Sequence, residues 1–380
     1  MSRQKGCTPQ QLLQRPNRSF VLKSRPVLYT FETNSDESEL EDEIVAPNLE
    51  ELTGHLALRF STQPDMLGNG RYSVVVPAED AETNKRVAIK SMSRTEVTDD
   101  DFEREVRVLK KLADIPDSNF ARFAEFVECF TLPTTHNIVF KPYGGTLGDI
   151  LRNSILSPIA SFQGMEIALQ LIQAVKFLHD NGIIHTDLKP DNVMLINVDS
   201  REQKMYVEDG SFHIKASSRD ILVETVNGSF AQSILQCTEI RLIDFGSVGE
   251  QVTENRGLVG WKWTEYIDHF ALGCIIAEIA MSKPLLHVEA KTLTAELIAI
   301  ESVLGPFSES MKHKMERDSP HIFQDVTNAD FAIPFIGHLK TLVKDKSLYT
   351  SISQLTELDD NFRTSLTFVA KRTCFQMQSL

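Results

Sequence analysis

The segment His185-Thr186-Asp187-Leu188-Lys189-Pro190-Asp191-Asn192-Val193-Met194-Leu195 sets a carboxylate, an ammonium and an amide at short fixed spacings ahead of an apolar run. Each group suits one task in phosphoryl transfer. Asp187 is placed to accept the proton of a hydroxyl nucleophile, Lys189 to steady a transferring phosphoryl group, and Asn192, five residues beyond Asp187, to bind a metal ion. Downstream, Leu242-Ile243-Asp244-Phe245-Gly246 is an apolar strand ending in a carboxylate and a glycine. Asp244 there suits a Mg²⁺ ion that bridges nucleotide phosphates. A lone Asp-Phe-Gly is commonplace, whereas the two motifs in this order are not.

Upstream, Leu67-Gly68-Asn69-Gly70-Arg71-Tyr72-Ser73-Val74-Val75 brings two glycines into the start of a strand. Glycines let backbone N–H groups approach phosphate oxygens with no Cβ in the way. Ser73 stands where a third glycine would complete the pattern, and by itself the segment equally fits an ordinary turn. Fifteen residues beyond Val75, the run Val87-Ala88-Ile89-Lys90 closes on a lysine. Alone, Lys90 reads as an edge charge. With Glu105 on the helical stretch that follows, it forms a pair that would hold the ammonium against α- and β-phosphates.

Periodicity supplies the scaffold. Tyr72–Val76 and Arg86–Met92 read as a hairpin around the polar stretch Ala78–Lys85, and Phe102, Val106, Leu109 and Leu112 recur at helical spacing. Phe123–Phe130 and Asn137–Phe140 read as further strands. After Gly144–Gly145 the pattern turns helical, with Leu169, Ile172, Val175 and Leu178 striping Gln163–Asp180. Phe270–Met281, interrupted only by Glu278, reads as a buried core helix. The fold expected is α+β and bilobal: a small five-stranded antiparallel β lobe with one helix, over residues 61–142, and a larger mainly α-helical lobe, over 143–380. Residues 1–60 read as a flexible extension, with the acidic run Asn34–Glu43 containing Ser35 and Ser38.

Composition narrows the partners. With 39 Lys plus Arg against 53 Asp plus Glu the net charge is −14, which argues against direct nucleic-acid binding and is compatible with basic protein partners. Cys7, Cys129, Cys237, Cys274 and Cys374 form no CxxC pair, so neither a zinc site nor a disulfide framework is expected. No apolar run reaches membrane-spanning length, and Met1–Arg18 lacks a signal-peptide core. The expectation is a soluble intracellular monomer.

Taken together, Leu67 to about Pro306 resembles a eukaryotic protein kinase, most strongly over Gln173–Asn192. Within that family the chain is similar to the LAMMER (CLK-type) dual-specificity kinases. Three features carry this: Gln173–Asn181 followed by His-Thr-Asp-Leu-Lys-Pro, Glu296–Pro306 with its glutamate and Leu-Gly-Pro, and an insert at Asn197–Glu239 where that group has an extra hairpin. The resemblance implies ATP and Mg²⁺ as cofactors. It assigns Leu67, Gly68, Asn69, Gly70, Val75, Ala88 and Lys90 to the nucleotide cleft, with Glu105 pairing the lysine. Phe140 would be a bulky gatekeeper, Lys141–Tyr143 the adenine-binding hinge, and Met194 the floor under the purine. Asp187 would be the base, Asn192 and Asp244 the metal ligands, and Asp268 an anchor of the large lobe. Arg/Ser-rich splicing factors are the substrates implied, and the nucleus or cytoplasm the location.

The chain also departs from the family. Only 24 positions separate Asp244 from Asp268, with Ser247–Arg256 running directly into Gly257–Asp268, and no Ala-Pro-Glu triplet occurs. The platform for a protein substrate is shortened. Thr186 replaces an arginine that would grip a phosphate on the activation loop, so activity independent of loop phosphorylation is expected. Two alternatives to an active kinase stand: a pseudokinase scaffold that binds nucleotide or partners without turnover, and a small-molecule phosphotransferase, whose motifs usually lack the Lys189-Pro190 arrangement.

Overall fold

Alternating burial builds the first layer. A computed structural model describes residues 56, 59–62, 66–69, 72–115, 122–153, 157, 159–204, 206–208, 211–213, 223–225, 228–250, 264–285, 293–318, 338–343, 346–358 and 364–378. Phe60–Thr62 (β1), Gly68–Asn69 (β2), Ser73–Asp80 (β3) and Lys85–Ser93 (β4) precede helix α1 (Asp99–Ala113), and Phe126–Thr131 (β5) and Thr135–Phe140 (β6) follow it. The strands form one antiparallel sheet, ordered β1-β3-β4-β6-β5, with β2 paired to the start of β3. Val74, Val76 and Ala78 point to one face, where they pack with Phe60, Val87, Ile89 and Val139, as a period of two requires. The opposite face presents Met92 and Ile138 to Phe102, Val106, Leu109 and Leu112 of α1. Thr98 caps α1, its side chain accepting from the Asp101 N–H, and Asp99, Asp100 and Asp101 place negative charge where the helix dipole favours it.

Half of the polar stretch Ala78–Lys85, namely Ala78–Asp80 and Lys85, is strand. Only Ala81–Asn84 turns, Asn84 taking a left-handed φ of 54°. The strand persists because Asp80, though charged, is buried under Arg59, whose Nε and NH2 donate to its two oxygens at 2.9 and 3.0 Å. Phe123 likewise falls short of a full strand. It makes a lone parallel bridge to Leu242, with the Leu242 N–H donating to the Arg122 carbonyl at 2.6 Å and the Ala124 N–H to the Leu242 carbonyl at 2.9 Å.

The second lobe begins with β7 (Gly145–Thr146), α2 (Leu147–Arg152) and α3 (Ser161–Asp180). Next come β8 (Ile183–Ile184) and β9 (Val193–Leu195), then five strands of the insert: β10 (Ser200–Lys204), β11 (Tyr206–Glu208), β12 (Ser211–His213), β13 (Val223–Thr225) and β14 (Gly228–Leu235). The chain continues through β15 (Ile240–Leu242), β16 (Gly249–Glu250) and α4 (Tyr266–Met281). Helices α5 (Leu293–Leu304), α6 (Glu309–Asp318), α7 (Leu339–Leu342), α8 (Lys346–Leu355) and α9 (Leu366–Gln378) complete it. Helices α3 and α4 form the centre of the core: Ile167, Leu171, Ile172, Val175 and Leu178 are buried along with Leu272, Ile275, Ile276 and Ile279. They approach so closely that a Cβ on Gly164 would lie 2.8 Å from the Ile279 side chain. Among the described residues no helix is long and apolar enough to cross a membrane, and Cys129, Cys237 and Cys274 form no disulfide. The extension's acidic run lies outside the described residues, as do Cys7 and the Cys374 side chain.

Two features used in the sequence comparison have local causes. The glutamate and Leu-Gly-Pro of 296–306 make a corner after α5: Glu301 Oε1 accepts from the Phe307 N–H at 2.8 Å, and Gly305 adopts a φ of 106°. The insert is more than a hairpin: β10 and β13 flank β14, and β11 pairs with β12, all antiparallel. Glutamines on α3 hold its base. Gln163 Nε2 donates to the Leu235 carbonyl at 2.7 Å while its Oε1 accepts from the Leu235 N–H at 3.1 Å, and Gln170 does the same for the Thr238 carbonyl (2.8 Å) and Ile240 N–H (3.2 Å). Replacing the buried Gln163 by Leu strands two backbone groups. It should lower unfolding free energy by about 1–3 kcal/mol in urea titrations, with Gln163→Glu recovering only the acceptor half.

Candidate active site

One ammonium gathers three distant segments. Lys90 sits in β4 opposite Val75 and Ile138. Its Nζ donates to Glu105 Oε1 of α1 at 2.8 Å and to Asp244 Oδ1 at 2.9 Å. Burial disfavours the Lys90 charge, but the charges of Glu105 and Asp244 outweigh it and hold the ammonium above its ordinary range. The charge of Lys90, in turn, holds Asp244 down at about 2 against its own burial. Asp244 carries a left-handed φ of 67°, a strained conformation kept in place because the next side chain, Phe245, is fully buried against Phe123 and His185. A Cβ on Gly246 would press on Glu105 Oε2 at 3.2 Å, so the glycine leaves room for the pair.

The catalytic-type loop is built on Asp268. That carboxylate is fully buried in the first turn of α4, where Oδ2 accepts from the His185 N–H at 2.7 Å and Oδ1 from the Thr186 N–H at 2.8 Å. His179 Nε2 lies 2.9 Å from Oδ2. The clamp supports Thr186 at a φ of 66°, unusual for a β-branched residue. A His185 tautomer with its proton on Nε2 satisfies both neighbours: Nε2 lies 3.1 Å from the Ile243 carbonyl and Nδ1 accepts from the Asp187 N–H at 3.4 Å. Lys189 Nζ then donates to Asp187 Oδ2 at 2.7 Å. Asn192 Nδ2 reaches the Asp187 carbonyl at 2.8 Å and Oδ2 at 3.0 Å. Antiparallel pairing of β9 with β15, extended by the Ile243 N–H to the Asn192 carbonyl (3.0 Å), sets Asp244 beside this loop.

The remaining predicted residues line the same sheet and its exit. Gly68 pairs with Val75 and Asn69 with Val74, exposed Leu67 donates its N–H to the Val75 carbonyl at 2.8 Å, and Gly70 lies outside the described residues. Ala88 stands opposite Phe140. The Lys141 N–H bonds the Glu125 carbonyl at 3.1 Å, and the Tyr143 hydroxyl accepts from the Glu125 N–H at 2.9 Å, so both hinge residues are tied to the chain ahead of β5. The Lys141 carbonyl and Tyr143 N–H make no backbone hydrogen bond among the described residues, which leaves them for the edge of a purine. Met194, half-buried in β9, pairs with Thr146.

An acidic corner next to this loop was not foreseen. Arg152 NH2 bridges Asp149 Oδ1 at 3.1 Å and Asp191 Oδ1 at 2.7 Å, and a Cβ on Gly148 would come within 2.5 Å of that Asp191 oxygen. Glu278 of α4 is pushed up to about 7, first by burial and then by the charge of Asp191, with Arg152 opposing. The one signal in the sequence was an acid interrupting an otherwise apolar helix.

For a metal, the Asn192 amide turns its NH2 toward Asp187, leaving its oxygen free, and the second Asp244 oxygen makes no bond to Lys90. An amide and a carboxylate oxygen fit a hard cation whose other ligands are phosphates and water. With these elements in place the molecule defines a protein kinase domain. A family model described as the protein kinase domain matches residues 62–375, and the chain belongs to that family. Its similar relatives are LAMMER, CLK-type kinases. It is 27% identical over 271 residues to the dual specificity protein kinase lkh1 of Schizosaccharomyces pombe, covering 68% of this chain and 36% of that one. It is 28% identical over 281 residues to the serine/threonine-protein kinase AFC2 of Arabidopsis thaliana (71% and 62%) and 26% over 264 residues to the dual specificity protein kinase CLK2 of Homo sapiens (66% and 48%). The chain thus spans between about a third and under two thirds of the length of these three. The crystal structure of the PF14_0431 kinase domain superposes with a TM-score of 0.66 at 18% identity, over 83% of this chain and 94% of that one, which shows the fold.

The Glu278 shift yields a stability test. Its carboxyl titrates near 4.5 when unfolded and near 7 when folded, so rising pH strips the proton from the unfolded chain first and weakens the fold between those values. Glu278→Gln should therefore melt higher than the parent at pH 8 and alike at pH 4, read by differential scanning fluorimetry.

Proposed function

We propose that the chain is an ATP- and Mg²⁺-dependent protein kinase that transfers the γ-phosphoryl group to serine, threonine and tyrosine hydroxyls of protein substrates. The observation that carries this reading is the joint contact of Lys90 with Glu105 and Asp244, 2.8 and 2.9 Å away, next to the Asp187–Asn192 loop. Lys90 holds the α- and β-phosphates, with Glu105 fixing its direction. Asn192 and Asp244 would hold Mg²⁺, which would neutralise phosphate charge. Asp187 takes the hydroxyl proton as the nucleophile oxygen bonds to phosphorus and the bond to ADP breaks. Lys189, which donates to Asp187 Oδ2, would steady the transferring group. Replacing Asp187 by Asn should slow transfer about 10²- to 10⁴-fold while ATP affinity, measured by calorimetry, stays the same.

Basic substrates, Arg/Ser-rich proteins among them, suit the site. Asp149, Asp191 and Glu278 collect beside the loop around one internal cation, Arg152, and the chain as a whole carries −14. The names of lkh1 and CLK2, dual specificity kinases, support action on tyrosine as well. We place the enzyme in the nucleus or cytoplasm as a monomer, by family analogy.

Regulation follows from Thr186. Its hydroxyl donates to the Ser247 carbonyl at 2.6 Å, a neutral bond that fixes the start of the segment after Asp-Phe-Gly without a phosphate. Phosphatase treatment should accordingly leave the transfer rate unchanged; a several-fold loss would contradict the assignment. The scaffold reading is favoured by one observation, the 24 positions between Asp244 and Asp268 without Ala-Pro-Glu. Residues 251–263 of that stretch lie outside the described residues. ATP binding without turnover on a basic serine-rich peptide would select the scaffold.

A further inference from the structure

Helix α1 carries Glu105, so whatever fixes α1 fixes Lys90. At its C-terminal end, Lys111 Nζ donates to the Asn181 carbonyl of the larger lobe at 2.7 Å, and Val106, Leu109 and Leu112 sink into the core. The first turn is held differently. His136, 2% exposed in β6, faces Met92 of β4 and Thr131 of β5. Its ring lies flat on Phe102, with centroids 4.3 Å apart and planes 11° apart. Nδ1 lies 3.2 Å from Thr131 Oγ1. Nε2 lies 3.1 Å from Asp99 Oδ1, off the line of a hydrogen bond; burial holds the imidazole below its ordinary range against the charge of Asp99, so this is a close polar approach rather than an ion pair. Arg94 NH2 reaches the same Asp99 oxygen at 3.3 Å, with its NH1 at the Leu132 and Pro133 carbonyls, 3.4 Å each.

We propose that His136 is a positioning residue for phosphoryl transfer: it latches the first turn of α1 to β6 and thereby holds Glu105 against Lys90. An aliphatic side chain at this position would cover Phe102 but leave Asp99 and Thr131 unengaged, whereas the imidazole meets all three. Glu105 lies three residues beyond Phe102, one turn along the same face, so tilting the first turn about the Lys111 end moves the carboxylate off the ammonium. The catalytic part of this inference rests on the kinase reading above; the latch rests on geometry alone.

The test uses the full chain with His136→Ala and Asp99→Asn, the latter an exposed position, 70% accessible, where folding is not at risk. Hydrogen–deuterium exchange without nucleotide should accelerate over residues 99–105 and stay unchanged in the β3–β4 hairpin and the last turn of α1. Mg²⁺-ATP affinity should fall about tenfold in His136→Ala. In a Glu105→Gln background the same change should cost no more affinity, because the two residues act in series. Unchanged exchange over 99–105 in Asp99→Asn and His136→Ala overturns the latch, and additive losses with Glu105→Gln overturn its route through the ion pair. Should His136→Ala fail to fold, exchange in Asp99→Asn decides. A parent protein that binds no ATP refutes the kinase reading, and the exchange result still judges the latch.

Discussion

A lysine ammonium mostly withdrawn from water must be matched by negative charge, and Lys90 finds two carboxylates. That need binds a central strand, a helix and Asp244, two residues beyond β15, at one point, though they lie far apart in sequence. Removing either carboxylate would leave a buried imbalance, the situation that costs most in protein interiors. The sheet places the ammonium, the helix brings one carboxylate, and the strained backbone at Asp244 delivers the other.

Asp268 performs the matching task for the opposite wall. Two backbone N–H groups of the loop end on its fully buried carboxylate, in the first turn of a core helix. The loop that carries Asp187 therefore inherits the rigidity of the packed helices below it. Its conformation includes a β-branched residue in a left-handed well, which relaxed chain would abandon. The strain persists because relaxing it would strip the Thr186 N–H from one oxygen of a buried carboxylate.

The parts legible in the sequence were those whose meaning lies in local order. The spacing of Asp187, Lys189 and Asn192, the strand ending in Asp244, and the period of α1 each carry their message within a few residues. What escaped notice was defined by a partner across space. Ala78–Asp80 looked like loop because Arg59, which lets Asp80 be buried, comes 21 residues earlier. Gln163 and Gln170 lie off the apolar stripe of α3, and their role shows only once the insert's base rests on them. Asp149, Asp191 and Glu278 lie on three elements, and nothing in the order of residues announces that one arginine bridges the first two. His136 stands one residue ahead of the strand read at Asn137–Phe140, and only the approach of Asp99 and Phe102 gives it a role.

The bridge between Phe123 and Leu242 has a mechanical meaning. The covalent crossover at Lys141–Gly144 is one line of attachment between the two lobes, and this short length of parallel pairing is a second. A body fastened along two lines swings like a door about the axis joining them and resists twisting. Because Leu242 lies two residues before Asp244, that axis runs beside the carboxylate, at the back of the cleft.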